Sequence, residues 1–205
     1  MSATPQKGRE ESKRRTREDL LDAAASVLRS RGFPKASVGE IAAAAGYTVG
    51  AVYSNFGNKQ DLLLALVERE SQRVVAEIAA ATKAAADAPE KLRRGAAAWV
   101  AFLDREQDLF AVFMEFWAVA VRDPELRSRN AELWGAVRRE LGGLVERHAE
   151  IEGRTLALPA EQIGAAVMAL GDGLAIQRLE APDAIPEDLL GALLDALLPA
   201  LTRKA

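Results

Sequence analysis

The 205-residue sequence contains no cysteine, so disulfides and thiolate metal sites are excluded, as is thiol chemistry. It contains one histidine, His148, set in the charged run "VERHAE", which reads as exposed. One histidine cannot supply the usual zinc sets, nor the paired Glu-x-x-His motifs of a di-metal carboxylate bundle. No apolar run reaches the ~18–20 residues that span a bilayer. Residues 1–17 are polar and basic without an apolar core, unlike a secretory signal. β-Branched runs are scarce, which argues against a sheet. The glycines of "GDGLA" around Asp172 are too few to signal a phosphate loop. These absences leave an enzyme poorly supported. They predict a cytoplasmic, metal-free protein without a cofactor.

What is present is alanine, leucine and charge. Hydrophobic residues make up 49% and charged ones 28%, enough for a large core and a solvated surface. The net charge of −3 is unevenly distributed. Residues 1–60 carry ten Lys/Arg against six Asp/Glu, and the remainder 17 against 24. A basic front on an acidic body suits a front that meets a polyanion; a solvated basic tail is the plainer reading.

The periodicity predicts an all-α chain. A first helix is expected over about 16–31, with Leu20, Leu21, Ala24, Val27 and Leu28 on one face, ending at Gly32. Ser37 and Glu40 form a capping box for a short second helix, which Gly46 stops. Thr48 caps a third over about 49–55. Two short helices around a glycine turn form a helix-turn-helix pattern. Asn58 and Asp61 start a long fourth helix, which Pro89 interrupts. Further helices are expected over about 90–105, 109–121, 124–150, 159–179 and 186–201. The expected division is a basic flexible arm (1–15), a helix-turn-helix domain (16–60) and a helical sensing and dimerisation domain (61–205).

The third helix carries small and polar residues where a buried helix would carry bulk and a solvated one charge. A helix entering a major groove ~12 Å wide needs a slim reading face. Gly50 and Ala51 permit close approach, and Val49 or Ala51 can meet a thymine methyl. Thr48, Ser54 and Asn55 offer hydrogen bonds, and Tyr53 reaches a phosphate. Lys59 and Ser37, each at a helix start, are expected to clamp phosphates. Lys7, Arg9, Lys13, Arg14, Arg15 and Arg17 would supply long-range attraction to double-stranded DNA. The reading helix has no Arg or Lys, so specificity would rest on methyl contacts, short polar groups and DNA shape. A helical protein-interaction adaptor without DNA binding would account for the leucine faces but not for this head.

The stretches "LLDAAASVLRSRGF" and "SVGEIAAAAGYTVGAVYSNFGNKQDLL" within residues 14–66 resemble the DNA-binding domain of the tetracycline-repressor (TetR) family of bacterial transcription regulators. The resemblance implies a fold of about nine helices, a homodimer through the last two, and repression relieved by a small ligand. It implies DNA contacts for Ser37, Thr48, Tyr53 and Lys59. The sequence departs from the family pattern at Val49 and Gly50, where many members carry a basic or larger residue.

The acidic body offers candidates for an effector pocket. They are the apolar Trp99, Phe102, Phe110, Phe113, Met114, Trp117, Trp134 and Met168, with Glu115, Asp172 and Gln177 among them. The helix over 109–121 is apolar nearly all round and is expected to be enclosed by protein. A carboxylate such as Glu115 or Asp172 in an apolar helix must pair, as with a nearby arginine, or take up a proton, or meet a cationic ligand. Ile163, Val167, Leu170 and Leu174 form a heptad-like seam. With Leu190, Leu194, Leu197 and Leu201 of the last helix, they are candidates for a dimer interface.

Overall fold

The computed structural model describes residues 5–83, 85 and 87–204. Among these the chain forms nine α-helices: α1 (Pro5–Lys35), α2 (Val38–Ala45), α3 (Val49–Phe56), α4 (Lys59–Lys83), α5 (Ala88–Arg105), α6 (Gln107–Ala120), α7 (Pro124–Ile151), α8 (Ala160–Glu180) and α9 (Leu189–Leu201). Two three-residue strands, β1 (Arg154–Leu156) and β2 (Thr202–Lys204), pair antiparallel, with Thr155 opposite Arg203. The all-α architecture is as expected, and these two small strands are added to it. They are too short for a period-2 pattern to show. Arg154 helps hold them, its Nε donating to the Thr202 hydroxyl at 2.6 Å.

Residues 5–15, expected as part of a flexible arm, are instead the opening turns of α1. Glu11 and Arg14 lie one helical turn apart with an ion pair of 3.9 Å, a spacing that supports helix more than coil. Residues 1–4 of that arm lie outside the described residues. The expected stop at Gly32 is a break within α1 (φ 73°, ψ 166°), after which the helix resumes to Lys35.

The chain divides into two compact units: residues 1–69 with 108–127, and residues 70–107 with 128–205. The first unit thus extends past residue 60, the boundary expected from the sequence, and takes in most of α6. In the first unit, α1 to α3 contribute Leu20, Leu28, Ile41 and Val52 to the buried interior, and α4 adds Leu62, Leu63 and Leu66. The inner face of α6, with Leu109, Phe110, Val112, Phe113 and Phe116, is buried as well. Its outer face is open, with Trp117 52% exposed and Val119 41%. The helix is therefore not enclosed, as its composition had suggested.

In the second unit, Val145 of α7, Ile163 of α8 and Leu198 of α9 form one core cluster, with Leu92, Leu156, Val167 and Leu201 packed on it. A second joins Val74, Val75 and Phe102 with Ile78, Trp99 and Val137. Arg73 bridges Glu70, Glu77 and Glu106, while Arg105 also reaches Glu77, so α4 and α5 share a charge network. α7 and α8 cross at glycines: a methyl group on Gly164 would lie 1.9 Å from the Arg138 carbonyl oxygen, and one on Gly142 2.0 Å from that of Ala160. His148, expected at the surface, is buried in α7, because α7 turns that face inward with Val145 and Ala149. Its Nδ1 has no hydrogen-bond partner. Burial pushes its pKa below the ordinary 6.5.

Two outcomes are expected. Gly164→Ala forces backbones apart and should cost about 2–4 kcal/mol, lowering the thermal midpoint by roughly 5–15 °C. The unfolded chain takes up a proton on His148 near pH 6.5, and the folded chain only at lower pH. Stability carried by this residue is therefore lost as pH falls below about 6.5. Thermal midpoints recorded from pH 7.5 down to 5 should drop less steeply in His148→Gln than in the wild type.

Candidate nucleic-acid interface

The head is built from caps and bolts. The Ser37 hydroxyl accepts the Glu40 N–H at 3.2 Å, and the Glu40 carboxylate accepts the Ser37 N–H at 2.9 Å, closing the capping box at the start of α2. The Ser37 N–H and the Ser37 hydroxyl, each donating to the Glu40 carboxylate at 2.9 Å, hold it below its ordinary pKa, assisted by Arg31 at 3.3 Å. Gly46 ends α2 in the left-handed conformation (φ 72°, ψ 24°) and makes the turn. Thr48 then caps α3, its hydroxyl accepting the Ala51 N–H at 3.2 Å. Ser37 and Thr48 both lie exposed at these helix starts.

Three contacts that were not legible as motifs fix α3. The Tyr47 hydroxyl donates to Asp19 of α1 at 2.9 Å. Arg17 stacks over the Phe56 ring at 4.4 Å and donates to the Asn55 backbone carbonyl at 3.1 Å. Val52 and Phe56 are buried beneath. Arg17 thus braces the reading helix, although its place in a basic run had marked it for DNA.

On the outer side of α3, Val49 is 43% exposed and Tyr53 50%. Gly50 and Ser54 are exposed and Ala51 half-buried. Asn55 is turned away. Its Nδ2 donates to the Ala51 carbonyl at 2.8 Å and its Oδ1 is buried without a partner among the described residues, so its amide leaves the base-reading face. Ser54 also bonds to Ala51, but its hydroxyl stays exposed and can accept. The structure brings Val49, Gly50, Tyr53 and Ser54 onto one uncharged surface. Arg14 and Arg15 are exposed on α1.

Lys59 does not project into solvent. Its ammonium donates to the Phe33 carbonyl and lies 4.5 Å from the centre of the Phe33 ring. Burial lowers its pKa, with Glu40 opposing.

The pocket candidates divide between the units. Phe110, Phe113, Met114, Glu115 and Trp117 fall in the first, and Trp99, Phe102, Trp134, Met168, Asp172 and Gln177 in the second. Among the described residues Glu115 meets no arginine in an ion pair; its carboxylate accepts the Phe33 N–H at 2.7 Å. In the second unit Trp99 stacks on Phe102 with ring centres 5.8 Å apart. Trp134 and Met168 are half-buried, and exposed Gln177 bonds back to the Gly173 carbonyl. Asp172, on α8, is half-buried with no hydrogen bond or ion pair among the described residues. Burial raises its pKa from 3.8 to about 6.

Of the dimer candidates, Ile163 and Leu190 are buried within their own chain, because the glycine-rich inner face of α8 and the first turn of α9 turn into the core. Val167 and Leu201 also pack on that core. Leu170, Leu174 and Leu194 are half-buried, Leu197 is exposed, and Ile176, which was not singled out, is 44% exposed.

Comparison with known proteins matches residues 20–66 to the bacterial regulatory proteins of the tetR family, and residues 88–203 to the C-terminal domain of BetI-type transcriptional repressors. The nicotine-responsive transcriptional repressor HdnoR of Paenarthrobacter nicotinovorans is 28% identical over 184 residues, covering 89% of this chain and 93% of that protein. FadR from Bacillus subtilis, solved with stearoyl-CoA, superposes with a TM-score of 0.67 at 22% identity, covering 92% of this chain and 98% of that one. A transcriptional regulator from Saccharomonospora viridis, solved with choline, gives 0.65 at 21% identity over 91% and 96%. A head with a capped, bolted reading helix and a helical body matched over most of its length identify this chain as a member of the tetR family of bacterial DNA-binding transcriptional regulators.

Proposed function

We propose that the chain is a repressor that binds a palindromic operator as a homodimer and leaves it when a small molecule occupies the second unit. The observation that carries this reading is the exposed, uncharged face of Val49, Gly50, Tyr53 and Ser54 on a helix locked by its neighbours. That face suits a major groove, where methyl contacts and short polar groups read bases. Ser37, Thr48 and Tyr53 serve backbone phosphates, and Arg14 and Arg15 supply attraction. Dimerisation is assigned to the apolar groups left uncovered on α8 and α9, Ile176 and Leu197, with half-buried Leu170, Leu174 and Leu194 beside them. Two heads so joined would place their reading helices ~34–36 Å apart, one turn of DNA. The protein acts where its DNA is, in the cytoplasm, and this reading assigns it no catalysis.

The effector we propose is a small apolar molecule bearing a cationic group that pairs with Asp172. An unpaired carboxylate in an interior is costly. With its pKa at about 6, the folded chain holds a proton on Asp172 between about pH 4 and 6 that the unfolded chain has lost. Stability is thus present at low pH and lost as pH rises through that window, amounting at neutral pH to about 1–3 kcal/mol. A carboxylate kept at such a cost is accounted for by what it binds. The names of two similar proteins, one responsive to nicotine and one solved with choline, are in keeping with a cation.

Selection from random duplex DNA should return a palindrome whose half-sites lie about one helical turn apart, and affinity for it should fall steeply with salt. A protein-interaction adaptor would return no sequence and show no salt-dependent shift. Asp172→Asn should raise the thermal midpoint at pH 7.5 but not at pH 4. It should also abolish any release of the operator by organic amines, assayed by fluorescence anisotropy of the selected duplex.

A further inference from the structure

The residue on which the head turns is Phe33, which closes the stretch "LLDAAASVLRSRGF". It follows the break at Gly32 and lies four residues before Ser37, the cap of α2. Its backbone N–H and C=O are each held by a charged side chain from another helix. Its N–H donates to the Glu115 carboxylate of α6 at 2.7 Å, and its C=O accepts the Lys59 ammonium of α4. Its ring is gripped as well: the ammonium lies 4.5 Å from its centre, and Phe116 meets it edge-on at 5.5 Å. Gly32 makes room for this, since a methyl group there would lie 3.1 Å from a Glu115 oxygen. Hydrogen bonds to charged groups are roughly twice as strong as neutral ones, and these two close on a single residue.

We propose that Lys59 and Glu115 are positioning residues for DNA binding that act through Phe33, and that Lys59 is not a phosphate ligand. The ammonium is half-buried and already engaged with a carbonyl oxygen and a ring face. Reaching a phosphate would release both contacts and leave the Phe33 carbonyl open. Holding Phe33 fixes the turn from Gly32 to Ser37, and with it the start of α2, from which α3 is hung. Arg31, Lys35 and Glu40 also carry charge near this joint. Arg31 and Glu40 pair at 3.3 Å, and Glu40 attracts Lys59 as well, while the Phe33 N–H and C=O are bonded to Glu115 and Lys59. Because α6 supplies one of the two grips, a shift of α6 would be felt at α2 through one hydrogen bond.

This inference rests on the DNA-binding reading, and the test separates the two. Binding of wild type, Lys59→Ala, Glu115→Ala, Glu115→Gln and the Lys59→Ala/Glu115→Ala double variant to a duplex selected from random DNA would be measured from 50 to 300 mM salt. Thermal midpoints would establish that each variant is folded. Absence of any wild-type binding overturns the DNA-binding reading itself. Given binding, Lys59→Ala and Glu115→Ala should each weaken it about tenfold, the scale for losing a hydrogen bond to a charged group. The salt slope should be unchanged, Glu115→Gln should restore most of the affinity, and the double variant should bind no more than about twofold worse than the weaker single one. A fall of about 1 in the slope for Lys59→Ala is the signature of a lost phosphate contact and overturns the proposal. So do multiplicative losses in the double variant, or a Glu115→Gln variant as weak as Glu115→Ala.

Discussion

A reading helix of eight residues without a single charged side chain cannot draw itself onto DNA, and a helix that short is not stable alone. It has to be held in place by the structure behind it. Everything in the first unit follows from that constraint. Thr48 satisfies the first free amides of α3, Val52 and Phe56 bury its inner face, and Arg17 and Tyr47 tie it to α1. The charge that a reading helix often carries is moved to its supports. Arg17 lies over a ring and Lys59 bonds to a carbonyl, so two cations of the basic front brace the head from within.

The parts of this arrangement that were legible in the sequence are those set by local chemistry. The Ser37–Glu40 box, the turn at Gly46 and the Thr48 cap each follow from residues within four positions of one another. The apolar stripe of Leu20, Leu21, Ala24 and Leu28 needs only the helical period. The unread parts depend on pairs distant in the chain. Glu115 and Phe33 are 82 residues apart, and nothing local to Glu115 marks its carboxylate for a backbone N–H rather than an arginine. Lys59 at a helix start reads as a phosphate clamp until Phe33 is placed beside it. Asn55 looks available for base contact until its amide is seen turned onto Ala51. His148 was misjudged because three of its neighbours in "VERHAE" are charged, whereas its burial follows Val145 and Leu144, three and four positions before it in the helix.

The second unit repeats the lesson with backbones. Gly142 and Gly164 look like weaknesses in two long helices, yet they allow α7 and α8 to cross at a distance that any side chain would forbid. Ile163 and Leu190 had the spacing of a dimer seam and serve the chain's own core instead. Asp172 stands apart: nothing among the described residues neutralises it, and burial keeps its pKa near 6. A structural role would have brought it a partner, which is why it is read as part of a binding site. The head is thus stabilised by satisfied charges, and the body holds one without a partner among the described residues.

The most direct test of the central claim is a crystal structure of the chain on its selected duplex. The account predicts α3 in the major groove with Val49, Gly50, Tyr53 and Ser54 toward the DNA, and Lys59 still bonded to the Phe33 carbonyl with Glu115 on its N–H. An α3 facing away from the duplex, or an ammonium that has left Phe33 for a phosphate, would contradict it.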